Sequence, residues 1–156
     1  MPKLNAFYSR PQILFFCLLA GYSLLVIYWM VFGFNRQVGD TAHYNLVPFA
    51  TINMFLQLYA THRMAAATNL IGNVAIFVPF GVLIPLVFGG KWGRMLLIFV
   101  TCIVALEVAQ LLLRRGSLDV DDLMLNVVGA LMGFGALRLV LWAQHKFSKK
   151  SIPAQL

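Results

Sequence analysis

Four apolar runs, each long enough to cross the roughly 30 Å hydrocarbon core of a bilayer, constrain this chain more than anything else in it. Residues 13–34 (ILFFCLLAGYSLLVIYWMVFGF) are uninterrupted, and residues 70–88 (LIGNVAIFVPFGVLIPLVF) contain Asn73, Pro79 and Pro85. Residues 95–113 carry Glu107 and Gln110, and residues 123–142 carry Asn126, Gly129, Gly133 and Gly135. Composition agrees: 61% of the 156 residues are hydrophobic and 11% charged, whereas a soluble domain is about a quarter charged. The expectation is an all-α integral membrane protein with about four transmembrane helices. The first run follows Lys3 and Arg10 as a signal peptide would. Its length, Trp29 and Phe32, and the lack of a small-residue cleavage pattern make it an uncleaved anchor.

The stretch between the first two runs contains Asn53 and Gln57 four residues apart among apolar neighbours. That spacing predicts a short re-entrant or interfacial helix within residues 45–60. Charge sets the orientation. With the N-terminus inside, Lys3, Arg10, Lys91, Arg94, Arg138, Lys146, Lys149 and Lys150 are cytoplasmic, with no acid among them. Arg36, Arg63, Arg114 and Arg115 then share the outer side with Asp40, Asp119, Asp121 and Asp122. The positive-inside rule places both termini in the cytoplasm. Residues 1–12 are read as a cytoplasmic N-terminus, 13–142 as the membrane domain and 143–156 as a basic cytoplasmic tail. The net charge of +7 is scattered between apolar runs with no aromatic-interleaved patch, which argues against nucleic-acid binding. Cys17 and Cys102 read as small buried hydrophobes.

With this topology the polar residues of three spans meet at one level. The second span enters from outside, so Asn69 and Asn73 lie in its outer part. The third leaves toward the outside, which raises Glu107 and Gln110 to the same depth. The fourth begins there, with Asp119, Asp121, Asp122 and Asn126. Helical spacing puts Asn69 with Asn73, Glu107 with Gln110 and Arg114, and Asp122 with Asn126 on shared faces. Gly129 and Gly133 continue the last of these inward and permit close helix approach. Glu107 stands about six residues, or roughly 9 Å, before the outer end of its helix. A glutamate there must be paired, protonated or open to water. In RRGSLDVDD, guanidinium forks of Arg114 and Arg115 suit phosphate or carboxylate, and an acid before the fourth helix suits its N-terminus. Pro79 and Pro85 predict a kink or local opening of the second span. A salt-bridged turn and a hydrogen-bonded core remain the plainer readings of the arginine–aspartate cluster and of Glu107. His43 and His62 fall outside any metal spacing and read as interfacial. Neither H-E-x-x-H, nor G-x-S-x-G, nor a glycine-rich phosphate cradle is present.

Four stretches together, NLVPF at 45–49, NLIGNVAIFVPFG at 69–81, EVAQ at 107–110 and RGSLDVDDLMLNVVG at 115–129, resemble the VanZ-like family over roughly residues 45–133. The resemblance implies a small multi-helix protein of the bacterial cytoplasmic membrane. Its signature positions here would be Asn45, Pro48, Asn69, Asn73, Pro79, Gly81, Glu107, Gln110, Arg115, Asp119, Asp122, Asn126 and Gly129. The family is named for a member that lowers susceptibility to teicoplanin, a lipoglycopeptide acting on cell-wall precursors. The expected function is therefore a non-enzymatic envelope role. It would bind a lipid-linked or amphiphilic ligand, such as a wall precursor or the lipoglycopeptide, at an outward-facing polar site among membrane lipids. The ligand-binding candidates are Asn45, Asn69, Asn73, Glu107, Gln110, Arg114, Arg115, Asp119, Asp122 and Asn126. Two alternatives stay open: an intramembrane enzyme modifying an envelope lipid head group, with Glu107 or Asp119 as acid or base, and a structural subunit of an envelope complex. No metal or cofactor is expected.

Overall fold

In the computed structural model, which describes residues 10–33 and 43–150, the first apolar run forms helix α1, Arg10–Phe32. The start of the N-terminal segment, Arg36, Asp40 and the end of the basic tail lie outside the described residues. Strand β1 (His43–Asn45) follows, then α2 (Ala50–Leu58), α3 (Arg63–Ala75), α4 (Val78–Phe88), α5 (Trp92–Leu112), strand β2 (Ser117–Asp119) and α6 (Val120–Lys150). Four helical stretches among the described residues are long and apolar enough to cross a membrane: Pro11–Phe32, Arg63–Phe88, Trp92–Leu112 and Val120–Phe147. The protein is an all-α multi-pass membrane protein, with α2 as a short extra helix that has no buried residue.

Apolar side chains cover the outside of these helices, among them Leu14, Leu24, Ile71, Leu97 and Leu139. A water-soluble monomer would not present so large an apolar surface. In α1 only 6% of the most apolar window is buried, against 33% in the α3–α4 stretch, so α1 is peripheral and α3–α4 central. Cys17 and Cys102, expected as buried, are instead exposed. A small apolar thiol sits as readily against lipid tails as against protein.

The second span opens locally, one of the outcomes its prolines predict. Helix α3 ends at Ala75, and Ile76 and Phe77 form a turn before α4. Pro79 is the second residue of α4, where its missing N–H is harmless to α4 but leaves the Ala75 carbonyl without its usual helical donor. Pro85 lies inside α4 without ending it. Freed backbone groups cannot be left bare in an apolar layer. Tyr22 of α1 answers one of them by donating its hydroxyl to the Ile76 carbonyl oxygen at 2.8 Å. Phe77 at the break joins Phe80 and Phe99 in an aromatic cluster with centroid spacings of 5.7–6.0 Å, and Tyr22 packs on Phe80 at 5.2 Å. With Val26, Ile84, Met95, Ile103 and Ala130 these rings form the core.

Helix α6 lies directly on the backbone of this broken span. A Cβ at Gly129 would stand 2.1 Å from the Val74 carbonyl oxygen, and one at Gly133 would stand 2.0 Å from that of Val78. Reciprocally, a Cβ at Gly81 would stand 1.9 Å from the Ala130 carbonyl oxygen. Backbone-to-backbone packing of this kind is what small residues permit in membranes. Gly135, by contrast, has nothing within 4 Å of where its Cβ would be.

These contacts predict a contrast. Gly133→Ala must push α6 away from α4 and is expected to destabilise the protein by about 1–3 kcal/mol. Gly135→Ala is expected to be neutral or to stabilise by up to about 1 kcal/mol. Thermal unfolding of both variants in detergent, followed by circular dichroism, checks this. Coincident melting curves would show that the close approach does not hold α6.

Candidate functional site

The site is assembled at the end of the bundle where α5 leaves, α6 begins and the chain after α1 returns. Strands β1 and β2 pair in parallel, with His43 opposite Ser117 and Asn45 opposite Asp119. A parallel pair needs a long crossover, and here α2 to α5 supply it. Asp119 sits just before α6 and receives the Asp121 N–H on Oδ1 at 2.9 Å, an N-terminal cap. Its Oδ2 accepts the Thr51 hydroxyl at 2.6 Å and the Asn45 amide at 3.5 Å. Asn45 also donates to Thr51 Oγ1 and accepts the Val47 N–H.

Asp121 caps a different helix from its own. Its fully buried carboxylate accepts the backbone N–H groups of Phe49 at 2.6 Å, Thr51 at 2.8 Å and Ile52 at 3.0 Å. These lie at the start of α2, whose N-terminus has no side-chain cap from its own residues. Phe49 adopts a left-handed φ of 65° to present its N–H, a conformation that costs a bulky residue energy and that the three bonds hold in place.

Helix α5 ends in a paired capping turn. The Arg114 N–H reaches the Leu111 carbonyl at 3.1 Å and the Arg115 N–H that of Gln110 at 3.0 Å. This is the Schellman arrangement, normally closed by glycine in the left-handed position. Arg114 occupies it, with φ 55°, although Gly116 is only two residues on. The guanidinium of Arg115 lies over the Phe32 ring at 4.9 Å from its centroid, a cation–π contact that fastens this turn to the end of α1.

Beneath this scaffold lies a polar recess of about 90 Å³, lined by Trp29, Met30, Asn73, Ile76, Glu107, Gln110, Ser117, Asp122 and Asn126, with Val26 and Phe77 at its base. Asn73 donates to Asp122 Oδ1 at 2.6 Å, joining α3 to α6. Gln110 donates to the Met30 carbonyl at 2.6 Å, joining α5 to α1. Glu107 is 4% exposed and Asn126 1% exposed, and among the described residues no hydrogen bond reaches Glu107 Oε1 or Asn126 Oδ1. A buried oxygen without a donor is costly and rare in a folded protein.

Val26 and Phe77 also wall a second cavity, an apolar groove of about 290 Å³ between α1, α4 and α5. Ser23, Phe80, Ile84, Phe99, Cys102 and Leu106 are among its lining. Polar recess and apolar groove therefore meet across two shared side chains.

Of the residues singled out in the sequence, Asn73, Glu107, Gln110, Asp122 and Asn126 line the recess together. Asn45 and Asp119 lie above it and are engaged in the strand-and-cap network. Asn69, expected on the same face as Asn73, is exposed and donates to the Ala65 carbonyl of its own helix at 2.9 Å. Arg114 is exposed in the capping turn, and Arg115 is against Phe32. Trp29, Met30 and Ser117 line the recess without having stood out in the sequence. Thr51 and the trans cap by Asp121 were also not visible there, since the partners are about seventy residues apart. Among the described residues, no group of three or more His, Cys, Asp or Glu side chains is placed to hold a metal ion. What the recess can do is recognise a small polar group by hydrogen bonding.

The family model described as VanZ/LLP1 matches residues 16–141. No curated protein and no solved structure matches the chain.

The cap by Asp121 carries its own prediction. In Asp121→Asn one acceptor oxygen becomes an N–H donor facing other donors, and the start of α2 is expected to loosen by about 1–2 kcal/mol. Amide exchange at Phe49, Thr51 and Ile52 should rise about tenfold or more by that same loss, while the middle of α5 keeps its protection. Unchanged exchange at these three amides would show that α2 is held by other contacts.

Proposed function

This chain belongs to the VanZ/LLP1 family, and we propose that it binds a lipid-linked or amphiphilic ligand in the bacterial cytoplasmic membrane. Bound this way, the ligand would have its head in the polar recess and its chain in the adjoining groove. The carrying observation is the pair of walls, Val26 and Phe77, common to the two cavities. A purely polar site would suit a soluble solute, and a purely apolar groove would accept any lipid tail. Their junction suits a molecule that has both parts.

Lys91, Arg94, Arg138 and Lys146 all belong to the opposite end from the recess in the sequence order of the spans, and the positive-inside rule puts that end in the cytoplasm. The recess then faces the outer leaflet, where wall precursors are displayed and lipoglycopeptides arrive. Occupation there by an amphiphile of the envelope would alter glycopeptide access to the membrane surface and lower teicoplanin-type susceptibility. The geometry favours binding over catalysis. Asp119, one of two carboxylates considered for acid–base work, has both oxygens engaged by Asn45, Thr51 and the Asp121 N–H.

Cells expressing the protein and fed an amphiphile with a photoreactive chain test the reading. Irradiation is expected to cross-link the probe to groove residues such as Cys102 and Leu106, and Leu106→Trp, which fills the groove, is expected to reduce capture about tenfold, the effect of roughly 1.4 kcal/mol. Labelling spread evenly over the lipid-facing residues, unaffected by Leu106→Trp, would sink it. In a sensitive Gram-positive host, wild-type protein is expected to lower teicoplanin susceptibility and Glu107→Gln at equal abundance is not. Equal protection by the two would detach Glu107 from the activity.

A further inference from the structure

Two buried acceptor oxygens without a donor, Glu107 Oε1 and Asn126 Oδ1, line the same recess. Neighbouring side chains already direct their amide N–H groups to protein atoms: Asn73 to Asp122 and Gln110 to the Met30 carbonyl. Among the described residues, no arginine or lysine lines the walls. A group entering here meets oxygen lone pairs and a carboxylate, with the indole of Trp29 beside them.

We infer that the recess receives a primary ammonium group, carried by the amphiphile proposed above. The inference rests on that reading and adds the chemistry of the head. An ammonium brings three N–H donors and one positive charge. That matches two orphan acceptors and supplies the counter-charge a buried carboxylate needs. A phosphate brings only acceptors and negative charge and offers no donor to Glu107 Oε1 or Asn126 Oδ1. A hydroxyl brings one donor and no charge. A quaternary ammonium brings charge but no N–H, so it leaves both oxygens unsatisfied even if it stacks on Trp29.

The competing explanation is internal. A protonated Glu107 could donate its own hydroxyl hydrogen to Asn126 and close the pair without any ligand. Glu107→Gln separates the two cases, because the new amide N–H can replace that hydroxyl but cannot replace a carboxylate facing an ammonium.

The full-length protein, with Trp92→Phe and Trp142→Phe so that Trp29 reports alone, is placed in phosphatidylcholine nanodiscs. It is titrated with hexadecylamine, hexadecyltrimethylammonium, hexadecyl phosphate and butylamine. Hexadecylamine is expected to bind at least tenfold tighter than each of the other three. Glu107→Gln is expected to lose tenfold or more for hexadecylamine only, with its melting temperature measured alongside. Asn126→Asp, which keeps the acceptor and adds charge, is expected to retain or tighten amine binding and guards against a Glu107→Gln variant that fails to fold. Equal binding of the three long-chain probes overturns the ammonium assignment and leaves the amphiphile reading standing. Butylamine binding as tightly as hexadecylamine assigns the recess to a soluble amine and overturns the proposal. Absence of binding by every probe overturns both readings. Unchanged amine affinity in a folded Glu107→Gln protein overturns the role of the two acceptors in favour of the internal pair.

Discussion

A backbone polar group in an apolar layer must find a partner inside the protein, and the architecture depends on how this chain meets that demand at one place. Between Ala75 and Val78 the central span stops being helical. In lipid an exposed break would be prohibitive. Here it is enclosed by Tyr22 on one side, which bonds the Ile76 carbonyl, and by α6 on the other. Gly129 and Gly133 let α6 approach until its backbone meets the Val74 and Val78 carbonyls. Neither partner could be replaced by a bulkier or less polar one without reopening the break. The same enclosure fixes where Asn73, one turn before the break, and Phe77, within it, point into the interior.

The second fastening is electrostatic and lies above the first. Two carboxylates at the start of α6 are directed at backbone donors: Asp119 at its own helix, Asp121 at the start of α2. Charge-assisted bonds to helix N-termini are strong and directional, so a loop that would otherwise float over the bundle is held as a cover. At the neighbouring corner, Arg114 takes a left-handed conformation usually left to glycine. The strain is maintained by the paired capping bonds, and by Arg115 set against Phe32. Acids and arginines that read in the sequence as a single binding cluster thus divide into cover, corner and recess.

How much of this was legible in the sequence follows from the range of the interactions. Helix existence was plain from four long apolar runs, and the convergence of Asn73, Glu107, Gln110, Asp122 and Asn126 followed from helix direction alone. Depth along a span and helical spacing are local properties, and both can be counted. Where along α3 a partner packs could not be counted. Asn69 lies one turn nearer the start of α3 than Asn73, and there it is exposed and bonds Ala65 of its own helix. The proline signal was real but displaced: Pro79 acts on the carbonyl four residues earlier, so the break precedes it. The parallel pairing of His43–Asn45 with Ser117–Asp119 joins segments separated by four helices, and three-residue strands leave no periodicity to read. Asp121 looked like one more acid before a helix, since nothing near it in sequence names Phe49 as its partner.

The break also explains why a polar and an apolar cavity can share a wall. In a continuous helix, residues at one level that face one neighbour form a single stripe, and a polar stripe tends to remain polar down its length. Ending α3 and restarting α4 lets the chain change character between Asn73, which meets Asp122, and Phe80 and Ile84, which meet α1 and α5. Phe77 sits at the change and belongs to both sides. Val26 is its counterpart on α1, the least buried of the four spans. One wall of the junction is therefore held rigidly by the central span and α6. The opposite wall is a peripheral helix fastened chiefly by Tyr22 to Ile76, Gln110 to Met30 and Arg115 over Phe32. Those three contacts lie on the recess side of α1 and at its end, while the groove beside Ser23 and Ile27 is bounded by apolar packing alone. Side-chain hydrogen bonds thus fix the recess, and the groove is left to apolar packing. On the proposed reading, selectivity would rest in the recess, at Glu107 Oε1 and Asn126 Oδ1, which receive no hydrogen bond among the described residues.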